Sequence, residues 1–521
     1  MTPASSRPAF TCKLPVGELR GDASGPALAF RGIPYARPPI GELRFAPPAP
    51  PEPWPGVRGA TRFGAAPPQR PDPLSDALGM LAGCEIGEDC LTLNVFTPSL
   101  EPAARPVLVW IPGGAFVGGT AGIPLYDGAR LAARGDAVVV TVSYRVGALG
   151  FAPLAAEPGE PAVANLGLQD QIAALHWVRA HVAAFGGDPA RVTVFGESAG
   201  AGSILALAGM PAARGLFARA IVQSAAPRGV IPPDVAHART RTWLAELGLA
   251  GAPRSALRDV PVERLLDAQY AVIARTPPSN GFFYAPVVDG ETLAAPPASA
   301  FAEGFARELP LVIGTTRDEM HLYYAGVPKG DDGAVAMIAP QLGLPEAEAA
   351  HAAKILIDGF RAARERRGEP TTPCDVFLAV QTELSLRHDA VRIAEARAAQ
   401  VSRSEPKASE GHQDRRTWMY LFGWRSPARG GVSGACHALD LPFVFGNLDA
   451  PGMAAFAGEG PEAQALAEAI MDAWVAYARG AAPWPCYELP RRATFEFGRV
   501  RALCEAPFDD ERALIERFAP D

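Results

Sequence analysis

The sequence predicts an α/β protein with a large, mostly parallel central sheet flanked by helices, and three observations carry that prediction. Short apolar runs recur through the middle of the chain. Several are continuous rather than alternating, as in parallel strands covered on both faces. Between them, apolar residues fall three and four apart, the spacing of amphipathic helices. Alternation of the two patterns favours an open α/β sheet.

In chain order, strands are predicted over 106–111, 137–143 ("AVVVTVS"), 191–195 ("RVTVF"), 219–223, 309–314 and 417–424. The stretch 168–185, "LQDQIAALHWVRAHVAAF", is predicted as a helix, and helical patterns return at 345–366, 375–400 and 461–479. The first hundred residues and 226–305 read as Pro- and loop-rich, and 402–416 ("SRSEPKASEGHQDRR") as an exposed polar excursion. By length alone 521 residues would fit two to four domains, yet no composition shift marks a linker. The economical reading is one domain over 1–521 with Pro-rich and helical insertions.

Composition removes several classes of function. Hydrophobic residues make up 48% and charged residues 20% of the chain, enough for a substantial core. The net charge is −8 and Lys and Arg are scattered, so neither a nucleic-acid footprint nor a polybasic membrane patch is present. No apolar run approaches the ~18 residues a bilayer span requires. The start, "MTPASSRPAFTCKLPVG", lacks the apolar core of a secretory signal, which predicts a cytoplasmic protein or a mature form already processed. Seven cysteines are too few and too scattered for a disulfide scaffold; Cys84 and Cys90 are spaced to close a small loop, with free thiols favoured. No Cys/His grouping has zinc spacing, and no metal or cofactor is expected. His176 and His181 are five apart, on different faces of a helix, and read as structural.

Two stretches carry chemistry. In "VLVWIPGGAFVGG", 107–119, a buried-strand pattern breaks into a loop nearly bare of side chains, with Pro112 lacking an N–H and glycines at 113, 114, 118 and 119. In "RVTVFGESAGAGS", 191–203, G-x-S-x-G sits between a strand and the small-residue start of a helix, the context that lifts Ser198 above a sheet. A serine needs a base, and the base an orienting acid. On such a turn the order is serine, acid, histidine. His437, on a loop of small residues after strand 417–424, suits the base better than His351 and His388 in helical patterns or His412 in the polar excursion. Asp318 and Glu319 both lie just past a strand, Asp289 reads as a turn residue, and Asp440 follows the base and would break the order.

The chain resembles the type-B carboxylesterases, the family of para-nitrobenzyl-type esterases, cholinesterases and liver carboxylesterases. The likeness runs through "FRGIPYARPPIGELRF" (30–45), "GEDCLTLNVFTP" (87–98), "VLVWIPGGAFVGG", "TVSYRVGALGF" (141–151) and "NLGLQDQIAALHWVRAHVAAFGGDPARVTVFGESAGAGS" (165–203). It continues in "APVVDGETL" (285–293), "IGTTRDEM" (313–320) and "GACHALDLPFVFGN" (434–447). The resemblance implies the α/β-hydrolase fold and a serine hydrolase acting on small-molecule carboxylic esters. It implies Ser198 as nucleophile, Glu319 rather than Asp318 as the acid, His437 as base, and the N–H groups of Gly114, Ala115 and Ala199 as oxyanion donors. Ser224 takes the position that supports the acid. Glu197 is expected to point away from the hydroxyl, as buried support for the turn.

Two positions depart from the family pattern: Pro112 stands where histidine is commonest, and Ala115 replaces a third glycine, narrowing the space for tertiary-alcohol esters. The family's first disulfide, from Cys90 to a cysteine far upstream, is not expected, since only Cys84 and Cys12 precede it. An amidase, carbamate hydrolase or detoxifying esterase would use the same machinery; a non-catalytic binding module would tend to lack the serine. The acyl and alcohol pockets are set by loops such as 66–88, 226–240, 276–284 and 320–335. The aromatic stretch "NGFFYAP" (280–286) reads as core ahead of pocket lining, and the sequence is silent on oligomeric state.

Overall fold

The computed structural model describes residues 9–71, 81, 83–157, 159–225, 229–276, 282–303, 305–323, 330–403 and 416–518. Its strands are β1 (Ala9–Leu14), β2 (Gly17–Ser24), β3 (Ala27–Pro34), β4 (Val57–Gly59), β5 (Thr92–Thr97), β6 (Arg105–Ile111) and β7 (Val138–Val142). A short ribbon, β8 (Leu154–Ala155) and β9 (Ala162–Val163), precedes β10 (Gly187–Glu197), β11 (Arg219–Gln223), β12 (Leu311–Thr316), β13 (Thr417–Phe422), β14 (Ala493–Phe497) and β15 (Ala502–Glu505). All but the ribbon join one sheet in the order β1-β2-β3-β5-β7-β6-β10-β11-β12-β13-β14-β15, with β4 on β2. From β7 to β14 every neighbouring pair is parallel, and antiparallel strands close both ends.

The continuous apolar runs are explained by two cores, one on each face. In β6, Val107, Val109 and Ile111 enter one cluster while Leu108 and Trp110 enter the other. In β12, Leu311 and Ile313 go one way and Val312 the other. Alternate residues point to opposite faces of a strand, so a strand buried on both sides has no polar side to show. Helices α1 (Leu166–His181) and α2 (Ala199–Gly209) contribute to the first core, and α3 (Pro461–Ala478) to the second.

All six predicted strands are present, some longer than predicted, as at Gly187–Glu197, and some shorter, as at Val138–Val142 and Thr417–Phe422. The first hundred residues hold five strands where loops were expected. Four of them form the antiparallel end of the sheet, where in Ala9–Leu14 and Gly17–Ser24 polar outward positions dilute the apolar signal. The stretch 226–305 carries the helices Pro233–Glu246 and Val262–Arg275. The helix predicted over 375–400 is broken at Glu383–Arg387 by a π-turn. There Arg387 donates to Glu383 (2.8 Å) and to the Thr316 carbonyl (3.1 Å), tying the turn to the end of β12. The polar excursion lies almost wholly outside the described residues, as does His412. Among the described residues no helix is long and apolar enough to cross a membrane.

Candidate active site

The carboxyl ends of β6, β10, β11 and β12 lie side by side, and the candidate residues sit just beyond them. β10 ends at Glu197, α2 begins at Ala199, and Ser198 alone makes the turn at φ 56°, ψ −122°. Such a conformation is costly for a residue with a Cβ and persists only when its surroundings fix it. The Ser198 N–H donates to the Gln223 carbonyl at 2.9 Å, and its own carbonyl accepts from Gly202 N–H at 2.9 Å. The flanking glycines allow close approach: a Cβ on Gly200 would stand 2.0 Å from the Ile111 carbonyl oxygen, and one on Gly196 2.7 Å from it. Ser198 remains half-exposed while Glu197 and Ala199 are buried.

Beyond β12, Glu319 is fully buried and fully engaged. Its Oε1 accepts from Ser224 Oγ (2.6 Å) and Thr316 N–H (2.7 Å), while Oε2 lies 2.6 Å from His437 Nδ1. The backbone repeats the link, His437 N–H donating to the Glu319 carbonyl at 3.1 Å. Asp318 turns elsewhere: its carboxylate accepts from Ala435 N–H at 2.8 Å and fixes the loop that carries His437. Asp440 meets Gln223 Nε2 at 2.8 Å and the Tyr420 hydroxyl at 3.4 Å. Burial first, then the charge of Glu197, pushes the Asp440 carboxyl up to about 7. Of the other histidines, His351 is exposed and His388 buried in its helix.

Glu197 adds to the sequence reading. It is buried, but its Oε1 lies 2.9 Å from His437 Nε2, the imidazole nitrogen opposite Glu319. The contact is an ion-pair distance rather than an aligned hydrogen bond. A buried carboxylate needs a compensating partner, and the imidazole supplies one. Burial alone would lower the His437 pKa, but the charges of Glu197 and Glu319 outweigh it and hold the imidazole well above its usual range. Ser198 and His437 are not joined by a hydrogen bond among the described residues; Glu197, next to the serine, stands at that nitrogen instead.

The glycine loop folds as one left-handed turn. Gly114, Ala115 and Phe116 have φ of 127°, 53° and 60°, and the Gly114 carbonyl accepts from Val117 (3.0 Å) and Gly118 (2.9 Å) N–H groups. Among the described residues the N–H groups of Gly114 and Ala115 have no backbone acceptor, and Ala199, first in its helix, has none within it. Gly113 abuts the serine turn: a Cβ there would lie 3.0 Å from both Ser198 Cβ and Glu197 Oε2. Pro112, without an N–H, is tied through its carbonyl to the Tyr144 hydroxyl at 2.8 Å.

Sequence reasoning missed the half-exposed Tyr323, whose ring centroid lies 5.7 Å from that of His437; an aromatic four residues after the acid was the available signal. In the aromatic stretch, Tyr284 and Ala285 are core, while the half-buried Phe282 meets Phe116 of the glycine loop edge-on at 5.6 Å. All four candidate pocket loops fall partly outside the described residues. Cys84 and Cys90 are free thiols, Cys84 donating to the Gly122 carbonyl, and Cys90 carries no upstream bridge.

This arrangement can be set beside known proteins. Residues 8–495 match the model of the carboxylesterase family. The chain is 39% identical over 506 residues to the para-nitrobenzyl esterase of Bacillus subtilis (strain 168), covering 96% of this chain and 97% of that one. It is 34% identical to the phenmedipham hydrolase of Pseudarthrobacter oxydans, over 92% of this chain and 94% of the relative. Among solved structures, a thermophilic para-nitrobenzyl esterase superposes with a TM-score of 0.83 at 35% identity, covering 97% of this chain and 99% of that one. A carboxylesterase of Geobacillus stearothermophilus gives 0.81 at 36% identity, with 97% and 99% covered. By family, fold and kinship, the chain belongs to the carboxylesterase family and is a carboxylic-ester hydrolase of the α/β-hydrolase fold.

Proposed function

We propose that this esterase works through an acyl-enzyme carried by Ser198, with His437 as general base, Glu319 as its orienting acid, and Gly114, Ala115 and Ala199 as oxyanion donors. Ser198 Oγ attacks the ester carbonyl while His437 Nε2 takes its proton. The carbonyl oxygen gathers negative charge against the three N–H groups. The tetrahedral adduct collapses, His437 returns the proton to the departing alcohol, and water repeats the sequence on the acyl-serine. Glu319 keeps the Nδ1 proton in place and stabilises the imidazolium that forms. Hydrogen bonds from Ser224 Oγ and the Thr316 N–H keep Glu319 oriented.

The observation that carries this reading is the chain of short contacts from Ser224 through Glu319 (2.6 Å) to His437 (2.6 Å), beside a serine held at a strained turn. Small-molecule carboxylic esters are the substrates. Release of p-nitrophenol from short-chain p-nitrophenyl esters is the assay. Ser198→Ala is expected to lose about 10^6-fold in kcat, as removal of a triad serine does elsewhere. Full turnover in Ser198→Ala would sink the mechanism, and a panel of esters graded in acyl length and alcohol bulk locates the preferred substrate.

A further inference from the structure

The second glycine pair, Gly118-Gly119, has no part in the chemistry above, yet the chain cannot replace it. A Cβ on Gly119 would stand 2.0 Å from the Gly113 carbonyl oxygen, and one on Gly118 2.9 Å from Oε1 of Gln69. Gln69 is buried and comes from a distant part of the sequence. Its carboxamide grips Gly119 from both sides: Oε1 accepts from the Gly119 N–H at 2.8 Å, and Nε2 donates to the Gly119 carbonyl at 3.0 Å. The remaining amide hydrogen goes to the Pro67 carbonyl, also at 3.0 Å. Only a neutral amide in this orientation satisfies all three partners, because two are acceptors and one is a donor.

The gripped residue ends a turn that needs holding. Ala115 and Phe116 both lie in the left-handed region, unfavourable for residues with a Cβ. Tyr144 fixes the loop at Pro112, and Gly147 N–H fixes its middle at the Phe116 carbonyl at 2.6 Å. Gln69 closes the far end. We propose that Gln69 is a positioning residue for the oxyanion hole: by clamping Gly119 it holds the left-handed turn that aims the Gly114 and Ala115 N–H groups. Gly118 lacks a side chain so that the carboxamide can reach. The inference rests on the oxyanion role proposed above.

The test uses the full chain and rates per active site, counted from the p-nitrophenol burst with a diethyl p-nitrophenyl phosphate. Gln69→Ala is expected to lower kcat on p-nitrophenyl butyrate by about 10- to 100-fold with KM within about threefold, since slight misplacement of a reacting geometry costs rate rather than binding. The inhibition constant of an aryl trifluoromethyl ketone, whose adduct places an oxyanion in the hole, rises by the same factor. Gln69→Met, of similar length, repeats the measurement without relying on a truncated side chain. Gln69→Glu matches Gln69→Ala at pH 8, where a carboxylate faces two carbonyls. Normal kcat per site in Gln69→Ala and Gln69→Met, or a fall in kcat without a matching rise in the ketone's inhibition constant, overturns the clamp. Retained activity in Ser198→Ala would instead overturn the serine mechanism, so the two failures are distinguishable.

Discussion

The glycine loop and the acid–base pair flank Ser198, yet they are built by opposite means. The loop presents backbone N–H groups, and the absence of side chains within it is what lets it close: a Cβ on Gly114 would stand 2.2 Å from the Gly118 carbonyl oxygen. The pair presents side chains from residues 118 apart in sequence, joined by a contact of 2.6 Å and supported by Ser224 from a third strand end. One half is specified by local sequence, the other by the register of parallel strands. A change in the first should disturb geometry, and a change in the second should disturb charge.

The largest effect is expected on the charged side. Glu319→Gln keeps the shape but turns an amide towards partners that include three donors, Ser224 Oγ, Thr316 N–H and His437 Nδ1. Loss of the orienting charge elsewhere costs on the order of 10^4-fold in kcat, and the same is expected here for p-nitrophenyl esters. Survival within about tenfold would reopen Asp318 and Asp440. On the backbone side, Gly114→Ala keeps the donor itself but adds a Cβ at φ 127°, where none fits. The expected loss is about 10^2- to 10^3-fold in kcat, the scale of one missing oxyanion donor. Unchanged kcat would show that the loop does not face the reacting carbonyl.

The same contrast explains what could be read in advance. Both "PGGAFVGG" and "GESAG" announce themselves because close backbone approach and positive φ restrict the residue types that fit, and that restriction is local. Six parallel strands were legible because two cores leave them no polar face, whereas the seventh, Ala493–Phe497, only partly buried at Phe495 and Glu496, was not. The strands Ala9–Leu14 and Gly17–Ser24 were not, because pairing with their neighbours rather than apolar content makes them strands. Chain order narrowed the acid to two neighbours, and the family resemblance, not the residues, selected Glu319. Gln69 was invisible, acting through a carboxamide 50 positions from its partner, whereas Tyr323 left a signal, an aromatic four residues after the acid, that was passed over. The burial of Glu197 was legible from the turn; its contact with His437 was not, because a buried charge chooses its own neighbour.

That neighbour gives the subtlest prediction. With Glu197 Oε1 2.9 Å from Nε2, the charged imidazole of His437 is favoured, and its pKa stands well above the usual value. A general base must be neutral to accept the serine proton, so kcat/KM falls as pH drops through that raised value. Glu197→Gln removes one of the charges that favour the imidazolium. The His437 pKa then falls, the base stays neutral to lower pH, and the acid limb of kcat/KM moves down by about one unit, the low end for a close opposite charge. Above the limb, where His437 is neutral in both proteins, the rates should converge to within a few-fold, which makes this the smallest of the effects. Profiles of p-nitrophenyl ester hydrolysis between pH 5 and 9 decide it. An acid limb that stays in place would mean that Glu197 does not govern the charge of the base, leaving Glu319 to set it alone; a limb that moves to higher pH would reverse the sign of the coupling and with it the assignment of Glu197 as a partner of the imidazolium.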